Sequence, residues 1–220
     1  MIMAGEVRVD GQPAAKPGAM FAANTPIEIA GGRLRYASRG GLKLEGALAD
    51  FGINVKGCIC LDVGASNGGF TDCVLQHGAS RVYAVDVNIA QLDWKLQRDA
   101  RVIAIKKNAR YLKTGDLREN PDFVCIDVSF ISATRVLSAV APLVMPGKEL
   151  LILIKPQFEL PMRFVGKGGI VSDPELHERA IASVKAAAER AGLAVFGVKP
   201  SRIAGAEGNR EFFLHARRIR

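Results

Sequence analysis

The chain has 220 residues, 49% of them hydrophobic, enough for one sizeable core with a small appendage. No apolar run reaches the roughly 18 to 20 residues a membrane span requires, and the opening "MIMAGEVRVD" lacks the basic-then-apolar pattern of a signal peptide. A net charge of +8 points to a polyanionic partner, nucleic acid first.

Residues 1–30 read as a short strand, a turn at Asp10-Gly11, a second turn at Lys16-Pro17-Gly18 and another short strand. They hold too few apolar residues to fold alone. Residues 31–57 form a linker and a lead-in amphipathic helix within "RYASRGGLKLEGAL". From residue 58 to 220 the rhythm changes to alternating strands and helices. "GCICLDVG" is a buried strand, and "GGFTDCVLQHG" a helix stopped by Gly78. "RVYAVDV" is a second strand, followed by a helical stretch in "IAQLDWKLQRD". There Trp94, with Leu92 and Leu96, is expected to cover the sheet rather than to stack on a base.

"RVIAIKK" and "DFVCIDVS" are the third and fourth strands, and "ISATRVLSAVAPLV" is a helix ended near Pro146-Gly147. "KELLILIKPQF" is the fifth strand. "DPELHERAIASVKAAAERAG" is a long helix, with proline in its first turn and Gly192 after its end. "LAVFGVKPS" and "REFFLHARRI" have no helix between them, so they pair as a hairpin and one strand runs antiparallel. The sum is an α/β fold, a doubly wound, Rossmann-like sheet of seven strands, largely parallel.

Cys58, Cys60, Cys73 and Cys125 lie in apolar segments, as reduced thiols of a cytoplasmic protein do. Cys58 and Cys60 lack the two-residue gap of a zinc pair, and His77, His177 and His215 show no ligand spacing, so no metal site is expected.

"CLDVGASNGGFTDC" places Gly64, Gly68 and Gly69 at a strand-to-helix turn, where ligands of doubly wound sheets bind. Position 66 is serine, which weakens a dinucleotide reading, and no Lys-Ser or Lys-Thr follows to make a P-loop. A nucleoside-type ligand remains. Asp86, ending the second strand, suits two ribose hydroxyls, and Asp62 before the turn suits an amino-acid ammonium. Two acids around a glycine turn, with an antiparallel seventh strand, suit S-adenosylmethionine. The competing reading is that the glycines only permit tight strand–helix packing.

Charges also stand where a core would not want them. Asp127 ends the fourth strand, Lys155 the fifth, and Glu211 begins the last. Lys43 sits in the lead-in helix, which could lean over the same sheet edge. A buried ammonium needs an acidic partner, and for Lys155 that is Asp127, one strand away. A structural ion pair and a catalytic one are equally compatible with this spacing.

The stretches "YASRGGLKLEGAL", "LDVGASNGGFTDCVLQHGA", "VYAVDVN", "QLDWKLQRD", "DVSFIS", "LIKPQFE", "GKGGIVSD" and "GNREFFLH" resemble the FtsJ-type RNA ribose 2'-O-methyltransferases, and more closely the TlyA (hemolysin A) family. They span residues 36 to 215 in order. The resemblance implies a catalytic tetrad that falls on Lys43, Asp127, Lys155 and Glu211. It also implies S-adenosylmethionine contacts near Gly68, Phe70, Asp86 and Asp127. With the turn, the candidate cofactor set is Asp62, Gly64, Ala65, Ser66, Gly68, Gly69, Phe70, Asp86, Val87, Asn108 and Asp127. Residues 2–29 resemble the second half of the small alpha-L RNA-binding module with which such chains begin, without the two helices that precede it. The implied substrate is a cytidine ribose in ribosomal RNA, free or in a ribosomal subunit.

On this reading Lys155 takes the proton of the ribose 2'-hydroxyl; the alternative is a tetrad that only positions the ribose. "DVSF" after the fourth strand replaces the Pro-Pro-Tyr motifs of base-amine methylation. The RNA path is expected along Arg33, Arg35 and Arg39, then Lys106, Lys107 and Arg110, then Arg163 and Lys167 in the segment after Lys155. That segment, 156–172, is long enough to serve as a substrate lid. Two other readings are a membrane-active hemolysin and an RNA-binding protein with an inactive methyltransferase domain. The first lacks a span or a long basic amphipathic helix; the second is at odds with four filled tetrad positions.

Overall fold

The computed structural model describes residues 7–14, 16, 18–29, 35–205 and 208–219. The chain divides into two units, Met1–Arg35 and Tyr36–Arg220. In the first, β1 (Val7–Val9) pairs antiparallel with β2 (Gln12–Pro13) and with β3 (Ile27–Ile29). Asp10 and Gly11 join β1 to β2 with φ of 52° and 75°, the two positive values that a two-residue hairpin turn of this hand needs. The expected turn at 16–18 includes Pro17, which lies outside the described residues, as does Arg33.

The second unit is built on a seven-stranded sheet. Its strands are β4 (Ile59–Val63), β5 (Arg81–Asp86), β6 (Val102–Lys106), β7 (Phe123–Ile126), β8 (Glu149–Ile154), β9 (Leu193–Pro200) and β10 (Phe212–Arg218). Their order is β6-β5-β4-β7-β8-β10-β9. β4 to β8 pair in parallel, and β10 inserts antiparallel between β8 and β9. The expected sheet with one antiparallel strand is what forms.

Both sheet faces are covered, so the central strands are nearly continuous apolar runs, broken in β4 by Asp62. In β8, Leu150, Ile152 and Ile154 join the core under α4 (Thr134–Val140) and α6 (Pro174–Arg190). Leu151 and Leu153 join the core under α1 (Gly40–Phe51) and α2 (Gly69–Gln76). All five are at most 1% exposed, each contributing about 1.5–3 kcal/mol by burial. The α6 start follows from its sequence: Asp173 accepts the Glu175 N–H at 2.9 Å, and Pro174 fills the first turn.

Three expectations are corrected. The stretch after β5 is not one helix but a 3-10 turn at Ile89–Gln91 and a short α3 (Trp94–Gln97), restarted where Asp93 caps the Lys95 N–H. Trp94 is not core: it is 61% exposed while Leu92 and Leu96 are buried. Within α3 a two-residue offset turns Leu96 by roughly 200° from Trp94, so the leucine takes the inner face and the indole the outer. The fifth strand ends at Ile154, and Pro156–Glu159 form a short helix, α5. Among the described residues no helix is long and apolar enough to cross a membrane.

Candidate active site

The glycine turn joins three elements. Gly64 has φ 91°, and a Cβ there would stand 2.2 Å from the Asp127 carbonyl oxygen. Gly68, also at φ 91°, makes room for Leu92 and Leu96. A Cβ at Gly69 would meet Ser38 Oγ at 2.1 Å, so this glycine admits the start of α1. The packing reading of the glycines therefore holds at all three. That packing brings the end of β7 and the start of the Lys43 helix against the turn.

Ser66 takes the left-handed conformation, φ 48°, which aims its N–H at Asp86 Oδ2, 2.9 Å away. The Asn88 N–H binds Asp86 Oδ1 at 2.8 Å. Each carboxylate oxygen keeps lone pairs for a further donor, and Asp86 is only half-buried at the carboxyl end of β5.

Asp62 is fully buried in β4. Thr71 donates its hydroxyl to Oδ2 at 2.7 Å, while Oδ1 has no partner. Burial pushes this carboxyl up to about 7, against the Thr71 hydrogen bond and with added repulsion from Asp127 and Asp86. A buried acceptor without a donor is expensive. An ammonium reaching it directly or through one water would complete it. The orphan oxygen, the half-open Asp86 and the tight turn between them fit the amino-acid and ribose ends of S-adenosylmethionine.

Two lysine–carboxylate pairs stand at the same sheet edge. Lys43 of α1 donates to Glu211 Oε2 at 2.6 Å, with 12% and 2% of the side chains exposed. Lys155 lies against Asp127 Oδ1 as an ion pair and donates its hydrogen bond to Ser129 Oγ at 2.9 Å. β7 and β8 are parallel neighbours, with Ile126 opposite Ile152, which is why residues just past their ends meet. β10 is antiparallel to β8 with Phe212 opposite Ile154, so Glu211, before its first residue, arrives at the edge where Lys155 leaves.

The other candidates fall in several places. Ala65 is buried, Val87 is exposed beyond β5, and Asn108 caps the 3-10 turn Ala109–Tyr111 through the Arg110 N–H. The Phe70 ring is 3% exposed and packs on Phe213. Lys107 is likewise engaged, both Asp116 oxygens accepting from its ammonium at 2.6 and 2.7 Å. Arg39, Lys106, Arg110 and Lys167 are exposed, and Arg35 is an exposed residue of the first unit. Lys106 lines an open groove of about 440 Å³ along the edge strand, with Asn88, Gln97 and apolar side chains.

Sequence reasoning passed over four residues. Ser129 holds Lys155. Phe130 is 92% exposed at φ 62°, and its ring meets Phe158 at 5.4 Å. Such a backbone angle is strained for a bulky residue, by about 1–2 kcal/mol. Glu159 ties the two segments together, accepting the Ala133 N–H at 2.8 Å and the Ser132 hydroxyl. An aromatic three residues past Asp127, in a loop between two serines at 129 and 132, is the signal the sequence offers for Phe130.

Residues 36–218 match the FtsJ-like methyltransferase family. YqxC of Bacillus subtilis, provisionally named an rRNA methyltransferase, is 44% identical over 216 residues, 97% of this chain and 77% of its own. The 16S/23S rRNA (cytidine-2'-O)-methyltransferase TlyA of Mycobacterium tuberculosis is 42% identical over 219 residues, 99% of this chain and 82% of its own. A solved structure from Streptococcus thermophilus, provisionally named a hemolysin, superimposes with a TM-score of 0.85 at 44% identity. It covers 99% of this chain and 80% of that one.

Proposed function

This chain belongs to the FtsJ-like methyltransferase family, and we propose that it methylates the 2'-hydroxyl of a cytidine ribose in ribosomal RNA, with S-adenosylmethionine as methyl donor. The observation that carries this reading is the pair of lysine–carboxylate contacts, Lys43 with Glu211 and Lys155 with Asp127, gathered at the edge beside the glycine turn. A ribose hydroxyl needs a proton acceptor and hydrogen-bond partners, and the two lysines, each held by a carboxylate, supply them.

Asp62, Asp86 and the turn from Gly64 to Gly69 hold the donor, which when bound supplies an electrophilic methyl group. The Lys155 ammonium that pairs with Asp127 gives up one proton to solvent, and its Nζ then takes the 2'-hydroxyl proton. Asp127 and Ser129 fix that amine in place, and the conjugate ammonium that results is stabilised by the Asp127 carboxylate. Lys43, anchored by Glu211, donates to ribose oxygens and orients them. Phe130 offers an open ring face on which the target base stacks. Residues 1–30 act as a separate RNA-contacting module, supported by the resemblance of residues 2–29. The work is cytoplasmic, on ribosomal RNA or assembled subunits.

Calorimetric titration with S-adenosylmethionine tests the cofactor half of this. Wild type binds one equivalent, and Asp86→Ala loses at least tenfold in affinity. Equal binding by the variant, or none by wild type even with ribosomal subunits present, would contradict the site.

A further inference from the structure

Arg163 and Arg179 are held against one aromatic ring. Cζ of Arg163 lies 4.9 Å from the centroid of Phe164, and Cζ of Arg179 lies 4.8 Å from it. The two charges are therefore separated by at most about twice that distance. Arg163 precedes the ring in the 3-10 turn Met162–Phe164, in the segment after Lys155. Arg179 comes from the second turn of α6. Phe164 is half-buried against the main core, so the platform is fixed, while both arginines are exposed.

Guanidinium groups cannot shed their charge, and two of them on one ring repel each other. Glu175 and Glu178 stand near Arg179 in sequence. Yet among the described residues neither arginine makes an ion pair. Stacking on Phe164 thus preorganises two uncompensated forks. The segment that carries Arg163 is tied at both ends to the proposed catalytic edge. It begins at Lys155, and Asn209, two residues before Glu211, closes it. Asn209 Oδ1 accepts the Val171 N–H at 3.0 Å, and Nδ2 donates to the Gly169 carbonyl at 2.9 Å. His177 Nε2 of α6 bonds the Val171 carbonyl at 2.7 Å.

We propose that Arg163 and Arg179, stacked on Phe164, form a clamp for adjacent backbone phosphates of the RNA strand that carries the methylated ribose, one phosphate to each guanidinium. This rests on the ribosomal RNA reading above. It adds Arg179, which α6 supplies and the path expected from sequence lacks, and it gives Phe164 a role in holding both charges.

Filter binding of the full chain to purified ribosomal RNA, at salt between roughly 50 and 200 mM, tests the clamp. Each phosphate contact contributes about 0.7 to 0.9 to the slope of log affinity against log salt. Arg163→Gln and Arg179→Gln should each lower the slope by about that amount, and the double variant by about twice as much. Phe164→Leu should weaken binding at every salt concentration while keeping the slope, since the charges remain. Lys185→Gln, an exposed charge elsewhere on α6, should change neither. Unchanged slopes in both arginine variants, or an equal drop in Lys185→Gln, would overturn the clamp. Each variant is first titrated with S-adenosylmethionine, so that lost folding is not read as lost contact; Arg163→Lys and Arg179→Lys, keeping the slope but losing affinity, repeat the Phe164 arm without touching the core. Wild type that binds S-adenosylmethionine but no ribosomal RNA would overturn the RNA reading itself, and the clamp with it.

Discussion

Lys43 and Glu211 are 168 positions apart in the chain and 2.6 Å apart in space. The pair joins the lead-in helix to the last strand, and it is mostly buried. Removing one partner leaves the other charge buried alone, at a cost of about 3–5 kcal/mol. Glu211→Ala should therefore lower the melting temperature and abolish methyl transfer together. Gly205→Ala offers a subtler test, because its Cβ would stand 2.1 Å from Glu211 Oε1. Displacing that oxygen should reduce kcat more than tenfold while the Kd for S-adenosylmethionine stays unchanged. A fully active Gly205→Ala enzyme would show that the pair is structural only.

Asp62 makes stability and cofactor binding depend on pH in opposite senses. Its carboxyl is raised from 3.8 to about 7 by burial. Between those values the folded state holds a proton that the unfolded state has lost, so stability falls as pH rises from about 4 to about 7 and is flat above. The ceiling on that loss is roughly 4 kcal/mol. Asp62→Asn should remove the slope, so that melting at about pH 8 occurs at a higher temperature than in wild type. Cofactor affinity should move the other way: in wild type it rises as Asp62 ionises near pH 7, and in the variant it is weaker and flat. Thermal melts and calorimetry across this range read both; a variant with wild-type affinity at pH 8 would remove Asp62 from the cofactor site.

Glu159 holds the segment carrying Ser129 and Phe130 to the helix that follows Lys155. Glu159→Ala leaves the Ala133 N–H and the Ser132 hydroxyl without their acceptor, a cost of about 1–3 kcal/mol. With the two segments uncoupled, Phe130 and Phe158 should lose their shared geometry. The expected result is a severalfold rise in KM for ribosomal RNA with unchanged affinity for S-adenosylmethionine. Glu159→Gln keeps one acceptor oxygen and should recover part of the loss. An equal fall in cofactor affinity would mean the whole edge has moved.

The sheet was readable because both of its faces are buried: "LLILI" and "FVCI" are apolar at every position, and little but a central parallel strand tolerates that. The Lys155–Asp127 pair was readable from the same logic, since charges ending adjacent buried strands must meet. What escaped was set by partners distant in sequence. Phe70 stands in the ligand turn, and its ring packs on Phe213. Lys107 lies in a basic run, but Asp116 takes its charge. Trp94 shows the reverse, an indole left outside because Leu92 and Leu96 had already filled the inner face. Glu159 could not be read as a tie between segments because its acceptors' donors, Ser132 and Ala133, come from another loop.

Ribose methylation with Lys155 as proton acceptor has a decisive chemical signature. Its most direct test is nucleoside mass spectrometry of ribosomal RNA after incubation with S-adenosylmethionine and either wild type or Lys155→Arg. Arginine keeps the charge but cannot accept the proton. Wild type should yield 2'-O-methylcytidine, and the variant, its cofactor binding intact, should lose about 10²-fold or more of that activity. A methyl group on a base, or near-normal turnover by Lys155→Arg, would contradict it.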